Sequence, residues 1–211
     1  MHKQPTPLRE TYKPIIAALL AGLLVCGGAL NARASIFQYR VSLDGPSEIP
    51  VNASPGFGLG EVDYNDVLHT LFVGFTFSNL LGTTTASHIH AATTSPFSGT
   101  AGVATTTPTF AGFPLGVTNG VYTNTLDLTL SSSWNSAFIT ANGGTIAGAE
   151  AALAAAMASG RAYLNVHSSF AGGGEIRGFL VAVPEPSAMA VFALGGSAMM
   201  LKVRRRTRSR R

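Results

Sequence analysis

The sequence predicts an all-β fold, a β-sandwich with one short helix, on three observations. Apolar and polar residues alternate with a period of two in several short segments. Gly, Pro and Asn-Asp turn signals separate those segments. One stretch alone, the Ala-rich run from Ile146 to Ser159, has the composition of a helix. Many short strands with one small helix make the pattern of a sandwich.

The elements follow in order. Phe37, Tyr39, Val41 and Leu43 alternate with Gln38, Arg40, Ser42 and Asp44, a strand with one buried face that Gly45-Pro46 ends. Leu59 to Tyr64 and Leu68 to Phe77 are two further strands, joined by a tight hairpin turn at Asn65-Asp66. In the second, Leu71, Val73, Phe75 and Phe77 share a face. Ala86 to His90 is a short strand. From Ala91 to Gly120 the chain is rich in Thr, Gly and Pro and is expected to be loop, with one strand near Ala101 to Thr105. Tyr122 to Leu130 alternates again and places Leu126, Leu128 and Leu130 together, and Trp134 and Phe138 are expected to plug one end of the core. The Ala-rich helix is stopped by Gly160. Ala162 to His167 and Glu175 to Ala182 form a last hairpin around a Gly-rich loop.

Both ends of the chain read as targeting segments. His2, Lys3, Arg9 and Lys13 precede an apolar run from Ile15 to Leu30, and Asn31-Ala32-Arg33-Ala34 follows. This is the order of a signal peptide, residues 1–34, with cleavage after Ala34. The apolar run is short against the about 20 residues of a membrane span. The only cysteine, Cys26, lies inside it, so the mature chain is expected to have no disulfide and no thiolate ligand. At the other end, Pro184, Glu185 and Pro186 precede an apolar stretch from Ala188 to Leu201. The stretch runs into Lys202, Arg204, Arg205, Arg206, Arg208, Arg210 and Arg211, a stop-transfer pattern with its basic side in the cytoplasm. Residues 184–211 resemble the PEP-CTERM sorting signal of Gram-negative bacteria. That resemblance implies an exosortase-type sorting enzyme as partner and transient anchoring in the inner membrane. It also implies delivery to the cell envelope, outer surface or extracellular matrix.

The ends also account for the basic balance of the whole chain. Between residues 35 and 183 the basic residues are Arg40, Arg161 and Arg177, against Asp44, Glu48, Glu61, Asp63, Asp66, Asp127, Glu150 and Glu175. The middle is one mildly acidic domain, and nucleic acid is not an expected partner.

Four histidines fall in that domain. His88 and His90 stand two apart on a strand and project from one face, a spacing at which two imidazoles can chelate one ion. His167 ends a later strand. If the last hairpin closes symmetrically, Asn165 faces Arg177 and His167 faces Glu175, which gives His167 a carboxylate partner. Two readings stand: a metal site of His88, His90 and His167 for copper or zinc, or a polar network with Glu175 and Arg177 that pins the sandwich. His69 is expected to pack on a strand face with Leu71 and Val73. Asp63 and Asp66 supply too few ligands for calcium. There is no nucleophile–base pair and no carboxylate pair for glycoside hydrolysis, so catalysis is not expected.

Ser87-His88-Ile89-His90-Ala91, the run Gly160-Arg161-Ala162-Tyr163-Leu164-Asn165-Val166-His167 and Gly173-Gly174-Glu175-Ile176-Arg177-Gly178 resemble the CHRD domain, named for chordin. The opening Val41 to Pro50 fits the same domain, and the likeness spans residues 36 to 182. It implies an immunoglobulin-like or superoxide-dismutase-like sandwich and no established enzymatic activity. It further implies an interaction module, here one that meets a cell-surface or matrix polysaccharide or protein. The His-x-His pair is also similar to the copper side of Cu/Zn superoxide dismutases, but a zinc loop with clustered His and Asp is missing.

Overall fold

The computed structural model describes residues 36–184 of the chain. The signal peptide, its cleavage at Ala34, and Glu185, Pro186 and the apolar and basic segments after them lie outside the described residues. Among the described residues no helix is long and apolar enough to cross a membrane.

Eight antiparallel strands make one curled sheet: β1 Ile36–Asp44, β2 Phe57–Asn65, β3 Thr70–Ser78, β4 Thr84–Ala91, β5 Gly120–Asp127, β6 Ala162–Ser168, β7 Ile176–Phe179 and β8 Val181–Ala182. Their order is β4-β6-β7-β1-β2-β3-β5, with β8 also paired to β1. The fold is all-β, with two helices, α1 Ser136–Ala141 and α2 Ile146–Ala158.

Alternation places the core. Tyr39, Val41 and Leu43 of β1, Val62 of β2 and Leu71, Val73, Phe75 and Phe77 of β3 are buried from one half of the sheet. Ile89, Leu164, Val166 and Ile176 join the same apolar cluster from the other half. The halves meet at a corner where β1 and β7 share a single register pair, Asp44 with Arg177. The backbones approach so closely there that a Cβ on Gly178 would overlap the Ser42 carbonyl oxygen, which explains a glycine inside a buried strand.

Helix α2 matches its expected span. The Thr145 side chain accepts from the Gly148 amide at its start, and Gly160 just beyond its end has φ +67°. Trp134 and Phe138 stack in the core, ring centroids 6.1 Å apart.

Four expectations need correction. A second helix, α1, carries Phe138, capped by the Asn135 side chain on the Ala137 amide; six residues are too few to show a helical period in the sequence. Strand β5 ends at Asp127, whose carboxylate accepts from the Thr129 amide and hydroxyl, and Leu130 is left exposed. Residues 101–105 form two isolated bridges, His90 with Val103 and Thr105 with Trp134, instead of a strand. His69 belongs to the turn between β2 and β3, with φ +52°, and not to β3. The turn spans Asp66 to His69, and Asn65 Oδ1 accepts from the Val67 and Leu68 amides.

Candidate metal centre

The ladder between β4, β6 and β7 sorts side chains onto two faces. His88 pairs with Asn165, His90 with Tyr163 and Ala86 with His167. Asn165 pairs in turn with Arg177, and Tyr163 with Phe179. Directly opposed residues share a face, so these eight side chains form one surface. Ile89, Leu164, Val166 and Ile176 point the other way into the core. The polar surface is therefore the outer face of this half of the sheet, and it is still buried. His88, His90, Tyr163, Asn165 and Arg177 are all at most 7% exposed, while His167 is half-buried. Loops reach over it: residues 47–48, the long β4–β5 connection and residues 172–174.

The three histidines converge on one point. A ring nitrogen from each lies within 4.8 Å of the others. The ring centroids of His88 and His167 are 5.1 Å apart, of His90 and His167 5.7 Å, and of His88 and His90 5.8 Å. Backbone carbonyls set the tautomers. His88 Nε2 lies 2.7 Å from the Pro108 oxygen, His90 Nδ1 2.9 Å from that of Ala101, and His167 Nδ1 3.0 Å from that of Gly172. A carbonyl can only accept, so each of these nitrogens is the N–H donor. The lone pairs are left on His88 Nδ1, His90 Nε2 and His167 Nε2. His88 Nδ1 and His167 Nε2 face each other at 3.3 Å, and His90 Nε2 is buried with no partner among the described residues.

A proton would join two of these lone pairs, but the surroundings disfavour it. Burial depresses His88 and His90 to about 4, and it also lowers His167. Neighbouring rings, and for His90 the Arg177 guanidinium, add to the effect. At neutral pH the centre is three neutral imidazoles with converging lone pairs, the donor set for a transition-metal ion. Carbonyl partners on the remote nitrogens are the usual outer support of histidine ligands.

Beside it lies the ion pair of Arg177 and Glu48, Nε to Oε2 3.7 Å, both buried. Arg177 also donates to the carbonyls of Ser47 and of Gly99, and its guanidinium lies 4.8 Å from the Tyr163 ring centre. Burial pushes Glu48 up to about 7 despite Arg177. Glu48 Oε1 and Asn165 Oδ1 have no hydrogen-bond partner among the described residues. Each lies 2.5 Å from where a Cβ on Gly174 would stand.

Asn165 does face Arg177, as the hairpin register requires. The carboxylate expected for His167 goes elsewhere. The ladder ends at Val166 and Ile176, and the Glu175 side chain accepts from Ser54 Oγ at 2.6 Å, Ser168 Oγ, the Leu81 amide at 2.5 Å and the Gly82 amide at 3.1 Å. Burial alone would raise Glu175; these donors outweigh it and lower it. Glu175 ties three loops together, and the carbonyl of Gly172 takes its place at His167.

The sequence reading had no role for Glu48, although it stands in the opening motif. It also missed a second cluster. His69 Nδ1 lies 2.9 Å from Glu150 Oε1, which also accepts from the Tyr64 hydroxyl at 2.9 Å, so the β2–β3 turn is fastened to α2.

The family model described as the CHRD domain matches residues 39–180, most of the chain and all three histidines. The chain belongs to the CHRD domain family. Its match agrees within three residues at each end with the span on which the motifs were read. Comparison of the CHRD chain with curated proteins and with solved structures returns no match.

Proposed function

We propose that this CHRD domain is a metal-binding module that holds one copper or zinc ion on His88 Nδ1, His90 Nε2 and His167 Nε2. One observation carries the reading: three neutral-ring lone pairs converge while every remote ring nitrogen is held by a carbonyl. A purely structural network would satisfy itself, as Glu175 does. Here lone pair faces lone pair, and a cation fills that gap. All-imidazole ligation favours zinc or copper over calcium and magnesium, which prefer oxygen. The test is metal content and titration of the purified chain with zinc and copper. One ion per chain is expected, lost in the triple variant His88→Ala, His90→Ala, His167→Ala. A chain that binds neither metal, with a variant that is merely less stable, would refute it.

The reading is of a non-enzymatic domain with an immunoglobulin-like or superoxide-dismutase-like sandwich. Its place is outside the cytoplasm, at the envelope, surface or matrix. The support is the signal-peptide pattern of residues 1–34 and the likeness of residues 184–211 to a PEP-CTERM signal, with an exosortase-type enzyme as processing partner. A second role, contact with a surface or matrix polysaccharide or protein, is favoured by the outer face of the other half-sheet. Phe57, Leu59 and Val121 are each more than half exposed there, around a groove lined by Arg40, Phe72 and Gly74. Absence of the processed chain from surface and matrix fractions would count against both placements.

A further inference from the structure

The three ligand nitrogens all come from β4 and β6 on one face of one sheet, so they occupy one side of an ion. Among the described residues no other His, Cys, Asp or Glu side chain joins them. The carbonyls of Pro108, Ala101 and Gly172 already accept the ring N–H groups. The cluster of His, Cys, Asp and Glu side chains able to share an ion contains His88, His90 and His167 and no fourth member among the described residues. Glu175 is committed to four donors, three on other loops and Ser168 at the end of β6, and Glu48 faces Arg177. Zinc takes four ligands and copper(II) four or five, and a centre with three protein ligands is of the open kind.

Access and charge say what completes it. His88 and His90 are nearly sealed, but His167 is only half-buried and sits opposite Ala86, whose methyl group leaves that edge of the face low. Three neutral imidazoles leave the charge of a divalent ion undiminished. The buried cation Arg177 lies on the same face, its guanidinium 4.8 Å from the centre of the Tyr163 ring that stacks on His90. An ion held by three neutral rings keeps its full positive charge toward its open side, and that charge selects a negative ligand.

We infer that the metal in this centre keeps an open position toward the His167 edge, and that a small exchangeable anion is its preferred ligand there. The inference rests on the three-histidine reading and deepens it: the ion is carried in a reactive form, not sealed as a structural staple.

The experiment uses the purified full-length chain loaded with cobalt(II), whose visible absorption reports coordination. Azide is the anionic probe and imidazole the neutral one. Azide is expected to shift the cobalt bands saturably at pH 7 and to bind roughly tenfold tighter than imidazole. Stoichiometric cobalt whose spectrum neither probe moves would overturn the open position, and imidazole binding as tightly as azide would overturn the preference for anions. A response to azide that appears only in Glu48→Gln would also overturn it, by placing the Glu48 carboxylate in the fourth position. Cobalt bound equally by the triple histidine variant, or a chain that binds none of cobalt, zinc and copper, would remove the three-histidine reading itself and this inference with it.

Discussion

At the scale of single residues, the outer face of β4, β6 and β7 couples stability to pH in two opposed ways. His88 and His90 titrate near 4 in the folded chain, below the ordinary 6.5. The unfolded chain therefore binds more protons between those values, and stability falls as pH drops from 6.5 toward 4. Glu48 is the reverse case. Its folded value of about 7 lies above the ordinary 4.5, so the folded chain binds the extra proton and stability falls as pH rises from 4.5 through 7. Urea midpoints of the metal-free chain should therefore fall on both sides of a maximum in the mildly acidic range. Glu48→Gln should remove the loss on the rising side and leave the acid limb in place; an unchanged rising limb would show that Glu48 does not carry that proton. Glu175 makes the contrasting prediction. Glu175→Gln puts an amide N–H2 among four donors, and unfolding free energy should drop by about 2–4 kcal/mol in denaturant titrations.

At the scale of elements, what was legible followed the period-two rule. The faces of β1 and β3, the pairing of Asn165 with Arg177 and the common face of His88 and His90 all follow from alternation and register. What stayed hidden depends on backbone atoms or on distant partners. The tautomers of all three histidines are set by carbonyls of Pro108, Ala101 and Gly172, and no side chain announces a carbonyl. Glu175 lies just beyond the end of the ladder, unpaired with His167, and its carboxylate finds donors in the β1–β2 and β3–β4 loops, far away in sequence. The place of His69 is not legible because a left-handed φ at a non-glycine residue leaves no compositional mark; in the turn its ring hydrogen-bonds with Glu150. The corner at Gly178 can be tested at this scale. A methyl group there meets the Ser42 carbonyl, which is backbone and cannot step aside. Gly178→Ala should cost more than about 3 kcal/mol or prevent folding. Thr145→Ala, which removes only the cap of α2, should cost about 1 kcal/mol. Equal losses for the two would refute the corner as the point that joins the half-sheets.

At the scale of the whole molecule, the three-histidine cluster of β4 and β6 lies outside the core and under the loops. The apolar cluster lies on the inner side of the curled sheet. The histidines lie on the outer side, under the β4–β5 connection and the β6–β7 loop, each tied to them by a single ring hydrogen bond. An ion joined to all three rings would therefore lock those loops onto β4 and β6 without touching the core. Because the unfolded chain lacks the site, binding adds stability by mass action, about 2.7 kcal/mol when the free ion stands at a hundred times its dissociation constant. The melting temperature should thus climb with zinc or copper concentration in the wild-type chain and stay level in the triple histidine variant. Hydrogen exchange locates the gain. Amides of residues 101–110 and 168–174 should slow on metal addition, and those of β1, β2 and β3 should change only as far as global stability changes. A rise in melting temperature without protection of those two loops would mean that the ion binds elsewhere on the chain.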